Sequence, residues 1–89
     1  MKSVTTERFR ECYKLLPYQV KLATKKAYKK WKLNPLDNGL YFKKLHPNEI
    51  YSVRISISYR ALSVKEGDTF IWFWIGNHAE YDKMIGRKV

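Results

Sequence analysis

The stretch from Thr69 to Ile75 is apolar at every position after its threonine, and this run constrains the chain more than any other feature. Seven residues of aromatic and β-branched type, entered from Gly67-Asp68 and left at Gly76, read as a strand. A strand that alternates apolar with polar residues needs cover on one face only. One that is apolar on both sides has to lie inside a sheet with packed material above and below it. The remainder of an 89-residue chain must supply that cover. At such a length folding buries only about 60–65% of the unfolded chain's surface, which leaves room for one core and one domain, residues 1–89. The composition suits a dense core, with three Trp, seven Tyr and four Phe.

Two amphipathic segments precede the sheet-forming half. Phe9, Cys12, Tyr13 and Leu16 recur at three- and four-residue spacing with Arg8, Arg10, Glu11 and Lys14 between them, which predicts a helix capped at Thr5 or Thr6. Pro17 closes it and opens the next, because proline suits a first helical turn. That second helix runs from Tyr18 to about Leu33, with Val20, Ala23, Ala27 and Trp31 on its apolar side. A short connection between two such stripes predicts a helical hairpin. The loop from Asn34 to Gly39 then changes the period from helical to alternating. Strands are expected at 41–46, 50–57, 59–64 and 69–75, with Gly76 breaking the last and a short helix at 78–84. Strands grouped after helices give an α+β fold, three to four strands with the hairpin on one face.

Charge limits the partners. Eighteen Lys and Arg against eight Asp and Glu give +10, beyond the magnitude of about 2–8 that keeps a small domain soluble. Such a field attracts nucleic acid or an acidic protein. Cys12 is the only cysteine and there are two histidines, so neither a disulfide scaffold nor a structural metal site is expected. The first ten residues lack the apolar run of a signal peptide, and no stretch approaches the roughly 20 apolar residues of a membrane span. A cytoplasmic protein without membrane contact is the expectation.

No Gly-rich phosphate loop, nucleophile elbow, HExxH or spaced carboxylate pair occurs. What remains are cations and proton carriers near the strands: Lys43, Lys44, Arg54, Arg60, His78 and Tyr81. Metal-free RNA cleavage asks for little more. A base takes the 2′-OH proton, cations hold the charge that develops on phosphorus, and an acid protonates the leaving 5′-oxygen. Arginine's planar fork and histidine's near-neutral titration suit those tasks. Each residue also has a plainer reading. His78 serves equally well to orient the last helix, the arginines to blunt sheet edges, and the second-helix lysines as a solvated face. Trp72 and Trp74 fit a core better than a base-stacking platform.

Taken in order, five segments resemble the RelE/ParE toxin superfamily over nearly the whole chain: residues 6–10, the Asn34-Pro35-Leu36 loop, residues 40–45, residues 51–60 and residues 73–82. The resemblance implies a helical hairpin on a twisted antiparallel sheet, and a toxin silenced by a cognate antitoxin. RelE-like members cut mRNA on the ribosome with basic residues on the sheet; ParE-like members poison DNA gyrase and lack that set. Arg54 and Arg60 match two basic positions of the RelE-like site, His78 falls where members place arginine or histidine, and Tyr81 resembles a tyrosine near the family's C-terminus. Ser52 stands where the RelE prototype has a lysine. The expected function is a ribosome-dependent mRNA endonuclease without metal or cofactor. Its catalytic set is Arg54, Arg60, His78 and Tyr81, and RNA is contacted by Lys43 and Lys44 and more diffusely by Lys21, Lys25, Lys29 and Lys32. The alternatives are a gyrase poison, or a degenerate toxin kept to bind its antitoxin.

Overall fold

A computed structural model describes residues 2–45 and 49–84. The chain forms β1 (Lys2–Thr5), α1 (Glu7–Lys14), α2 (Tyr18–Leu33), a 3-10 turn at Asn38–Leu40, β2 (Lys43–Leu45), β3 (Ile50–Ser56), β4 (Tyr59–Glu66), β5 (Thr69–Asn77) and α3 (His78–Met84). The strands build one sheet in the order β1-β5-β4-β3-β2. β1 runs parallel to β5 and the other neighbours are antiparallel.

Local chemistry explains the helix boundaries. The Thr6 hydroxyl accepts from the Phe9 backbone N–H at 3.1 Å and caps α1, worth about 1 kcal/mol. Pro17 stands immediately before α2, as its fixed φ allows. Asn77 caps α3: its side-chain oxygen accepts from the Glu80 N–H at 2.9 Å, and Glu80 accepts in return from the Asn77 amide at 3.3 Å. The second bond comes from the Asn77 side-chain amide and not from its backbone N–H, so the pair differs from a capping box while still satisfying one orphan N–H of the first turn.

α1 and α2 cover one face of the sheet. Trp31 of α2, 1% exposed, is the hub of that side. It meets Phe70 and Trp72 edge-on at 5.2 Å each, and Phe42 at 5.9 Å. Neither the Trp31 nor the Trp72 indole N–H has a hydrogen-bond partner. Burial outweighs that omission, since removing a packed Trp costs about 3–5 kcal/mol and a buried unpaired donor about 1–3. The second face carries a smaller cluster of Leu62, Trp74 and Tyr81, the last brought by α3.

Several expectations are corrected. The sheet has five strands, because Lys2–Thr5 adds one that four residues are too few to reveal by periodicity. The helices form no close hairpin: α1 rests on β5 and α2 on β3. A largely apolar groove of about 500 Å³ lies between them, with Phe9, Tyr13 and Tyr28 on its walls. Tyr41 and Phe42 precede β2 instead of starting it, and His46 lies outside the described residues. Gly76 does not break β5, which continues to Asn77.

Two irregularities decide which way the side chains point. Leu62 pairs with Trp74 while its neighbour Ser63 pairs with Trp72, so Phe73 is the extra residue of a β-bulge. The alternation of β5 turns over there. Phe70, Trp72 and Ile75 join the helix-side core, whereas Trp74 joins the second-face cluster. On β3, Arg54 pairs with Arg60 and Ser56 with Tyr59, which makes Ile55 a second bulge.

Gly76 is fixed by the first bulge. A Cβ at this position would collide with the Trp74 six-membered ring, because residues two apart on a strand share a face. Gly76→Ala is expected to push the indole aside and cost about 1–3 kcal/mol, a fall in Tm of about 4–24 °C for a domain of this size. Unchanged urea and thermal midpoints would show that the indole does not rest on Gly76.

Candidate nucleic-acid interface

The sheet register sets Arg54, Arg60 and Gly76 side by side across β3, β4 and β5. They stand on the second face, one step along from the row of Ser52, Leu62 and Trp74. Like charges directly opposite on adjacent strands are destabilising, and neither arginine has a carboxylate within ion-pair distance among the described residues. The strain registers on Arg60, whose guanidinium is held below its ordinary pKa by burial and then by the nearby Arg54, with Tyr81 and Asp82 acting in the opposite sense. Edge-blunting does not explain the pair, since the edge strands are β1 and β2.

Each guanidinium is positioned differently. One terminal nitrogen of Arg60 donates to the carbonyls of Ser56 at 2.7 Å and Tyr59 at 3.0 Å, anchoring it to the β3–β4 turn. The guanidinium carbon of Arg54 lies 4.9 Å from the centre of the Tyr41 ring. Tyr41 occupies the place that the β2–β3 register would assign opposite Arg54, two residues before Lys43, which pairs with Ser52. Its backbone has left the strand: φ is 45° and ψ 42°, the left-handed region, which costs a non-glycine residue about 1–3 kcal/mol. Sequence reading missed Tyr41, since nothing in the order of residues marks a tyrosine for that conformation.

α3 delivers the proton carriers to the other end of the row. The His78 backbone N–H donates to the Ser58 carbonyl at 2.7 Å, tying the start of α3 to the β3–β4 turn beside Arg60. The His78 Nδ1 is 3.4 Å from the Asp82 carboxylate one turn on, and the His78 side chain is 45% exposed. This contact engages Nδ1 and leaves the other ring nitrogen, Nε2, outside it. Asp82 was also missed, although its i,i+4 spacing from His78 was visible as soon as the helix was drawn. Tyr81 stands beside His78, ring centres 5.8 Å apart, but is 3% exposed and packs on Leu62 and Trp74. The structure thus brings Arg54, Arg60, His78 and Tyr81 together, with the histidine exposed and the tyrosine beneath it.

The lysines divide. Lys43 shares the second face with Arg54 through its pairing with Ser52. Lys44 points the other way, opposite Tyr51, and its ammonium lies 3.0 Å from Glu49; that hydrogen bond raises its pKa. Lys21, Lys25, Lys29 and Lys32 are on α2, across the sheet from the arginine row. Lys21 and Lys32 sit over the Tyr13 and Tyr28 rings at 5.9 and 5.8 Å. Ser52, where the prototype lysine would be, is 2% exposed. Among the described residues no cluster of three metal-ligating side chains exists, and no helix is long and apolar enough to cross a membrane.

A sequence model described as the ParE-like toxin domain matches residues 19–83. The chain belongs to the ParE-like toxin family. The match spans every residue of the arginine row and begins within α2, leaving β1 and α1 outside it. Solved toxins share the fold at low identity. The RelB-RelE antitoxin-toxin complex of Methanococcus jannaschii gives a TM-score of 0.74 at 18% identity, covering 91% of this chain and 96% of that one. A YoeB/ParE toxin of Agrobacterium tumefaciens gives 0.71 at 16%, covering 88% and 99%. YafQ of Escherichia coli gives 0.74 at 12%, covering 90% and 96%. Comparison with curated protein sequences gives no match.

The His78–Asp82 contact makes a spectroscopic prediction for this toxin. Neutral His78 is expected to carry its proton on Nδ1, donated to Asp82, and long-range ¹⁵N–¹H correlation spectra read the tautomer directly. Asp82→Ala should shift the population toward the Nε2–H form. Equal tautomer populations in the wild type and Asp82→Ala would mean that Asp82 does not orient the ring.

Proposed function

We propose that this toxin is a ribosome-dependent mRNA endonuclease that works without metal on the second face of its sheet. The observation that carries the reading is the opposed pair Arg54 and Arg60. Two guanidinium groups with no carboxylate between them form a site for an anion with several oxygens, and arginine's fork matches a phosphate geometrically. A pentacoordinate phosphorus with two equatorial anionic oxygens is bound more tightly by such a pair than the ground-state diester, which is the condition for catalysis.

His78 stands at the end of that row with Nδ1 against Asp82 and its side chain partly exposed, and it moves the proton. As base it takes the 2′-OH hydrogen while the 2′-oxygen bonds to phosphorus and the bond to the 5′-oxygen breaks. As acid it supplies the proton that the departing 5′-oxygen needs. In either role solvent water exchanges the other proton, and the products are a 2′,3′-cyclic phosphate and a 5′-hydroxyl. Tyr81, buried under the imidazole, supports it; His78 is the better proton carrier because it reaches solvent and substrate. Lys43 extends the phosphate track along the same face. The α2 lysines act at a distance, as part of the field that draws a polyanion such as the ribosome.

A second reading follows from the matched sequence model itself, which is ParE-like: the same fold serves as a gyrase-binding surface without catalysis. In either case the partner that silences the toxin is expected to be an antitoxin, as in the RelB-RelE complex that this chain resembles. An acidic segment that folds onto a +10 chain would combine charge pairing with burial of aromatic surface.

Purified toxin added to translating ribosomes with a defined mRNA separates the readings. Codon-phased cleavage, unaffected by EDTA at magnesium levels that keep ribosomes intact, supports the endonuclease. Trapped gyrase–DNA complexes without cleavage support the poison. His78→Ala is expected to lower cleavage about 10²–10⁴-fold, the usual contribution of a general acid or base, with an unchanged circular dichroism spectrum and Tm. Cleavage at the wild-type rate by folded His78→Ala would remove histidine from the mechanism.

A further inference from the structure

The endonuclease reading uses Arg54, Arg60 and His78 and leaves Tyr41 without a task, yet Tyr41 is the most unusual residue near the site. It is the one non-glycine residue with positive φ among those described. It is aromatic, and it is 61% exposed although it stands at the end of the arginine row. A folded chain holds an exposed tyrosine in a left-handed backbone only if the surrounding structure fixes it there, and such outliers gather at binding sites. Asn38 and Gly39, which tolerate that conformation far better, are three and two residues away.

The surroundings of the ring point to what it meets. Arg54 lies over it, 4.9 Å from the centroid. A cleft of about 390 Å³ is lined by Tyr41 with Pro35, Leu36, Asp37, Asn38 and Phe42, and Arg54 is not among its walls. That volume falls within the roughly 300–1,000 Å³ of small-ligand sites. Its lining offers aromatic rings, a proline and a leucine, together with two polar side chains, Asp37 and Asn38. The Pro35–Asn38 wall is itself braced, with the Leu36 N–H donating to Asn34 at 3.1 Å and the Gly39 N–H to Asp37 at 2.9 Å. One end of the Tyr41–Arg54 pair is thus a guanidinium suited to an anion, and the other presents an aromatic surface beside the cleft. That is the chemistry of a nucleotide taken base and phosphate together.

We propose that Tyr41 is a stacking platform for an unpaired nucleobase adjacent to the phosphate gripped by Arg54 and Arg60, with the cleft of residues 35–42 receiving the base. The proposal rests on the single-stranded RNA substrate of the endonuclease reading and names the residue that seats it. Stacking is tolerant of base identity, so the platform contributes to affinity for every sequence and selects single-stranded over paired RNA. It also gives the strained backbone a role: an extended Tyr41 would continue β2 opposite Arg54, whereas in the left-handed turn its ring carries the Arg54 guanidinium and lines the cleft.

Binding of a 2′-deoxy-substituted, uncleavable single-stranded RNA oligomer, followed by fluorescence anisotropy, tests this alongside cleavage on ribosomes. Tyr41→Gly removes the ring and suits a positive φ, so its Tm should equal or exceed the wild type's. Its Kd should be about ten- to a hundredfold weaker, with KM raised more than kcat is lowered. Tyr41→Phe keeps the ring and should bind within about twofold of wild type. In the Arg54→Ala background, Tyr41→Gly should still weaken binding by a similar factor. No further loss there would mean that Tyr41 only holds Arg54, and the platform would be wrong. Toxin that binds the oligomer through Tyr41 yet leaves ribosome-bound mRNA intact would uphold the platform and overturn the endonuclease reading. Toxin that cuts mRNA with Kd and KM unchanged by Tyr41→Gly would do the reverse, and wild-type toxin that does not bind the oligomer overturns the platform.

Discussion

A single inserted residue, Phe73, reconciles the two demands placed on β5. Before it, Phe70 and Trp72 pack beneath α2 against Trp31; after it, Trp74 turns to the other face and Ile75 takes the helix side. Without the bulge both tryptophans would crowd under the helices, and the second face would have no apolar anchor for α3. Because Trp74 does turn over, Tyr81 and Leu62 close on it, α3 is seated, and His78 and Asp82 arrive beside Arg60. The site is therefore a consequence of how β5 is covered.

The rest of the second face is arranged against its own stability. Two arginines directly opposite, an exposed tyrosine in a left-handed backbone and a glycine overlaid by an indole each cost the fold something. They fall in one row across four neighbouring segments. Stability comes from the other side, where Trp31 is nearly inaccessible and ringed by aromatics. Such a division, a packed face and a face that tolerates unfavourable contacts, is the expected pattern for a site that has to bind a highly charged ligand.

Much of the fold was legible in the residues. The Tyr18–Leu33 helix, the α3 range, β3 and the location of β5 followed from period, proline placement and composition. What stayed hidden had physical causes. β1 is a four-residue edge strand whose pairing with β5 is parallel and far away in sequence, so no local pattern announces it. The continuation of β5 through Gly76 was unreadable, because only the indole over it shows why a glycine there extends a strand. The bulges were equally invisible, and with them the separation of Trp72 from Trp74. For the site, Arg54, Arg60 and His78 were identifiable through alternation and resemblance. Asp82 required the helix to be drawn and Tyr41 required the backbone angle, and that the α2 lysines lie across the sheet from Arg54 could not be read from spacing alone.

In the proposed function RNA is held by the second face and not by the lysine-rich helix. Amide and side-chain chemical-shift mapping with an uncleavable single-stranded RNA oligomer tests it most directly. The account predicts perturbations concentrated at Arg54, Arg60, Gly76 and His78, with the Lys25 and Lys29 region of α2 shifting little. Perturbations centred on α2, with the arginine row unmoved, would contradict it.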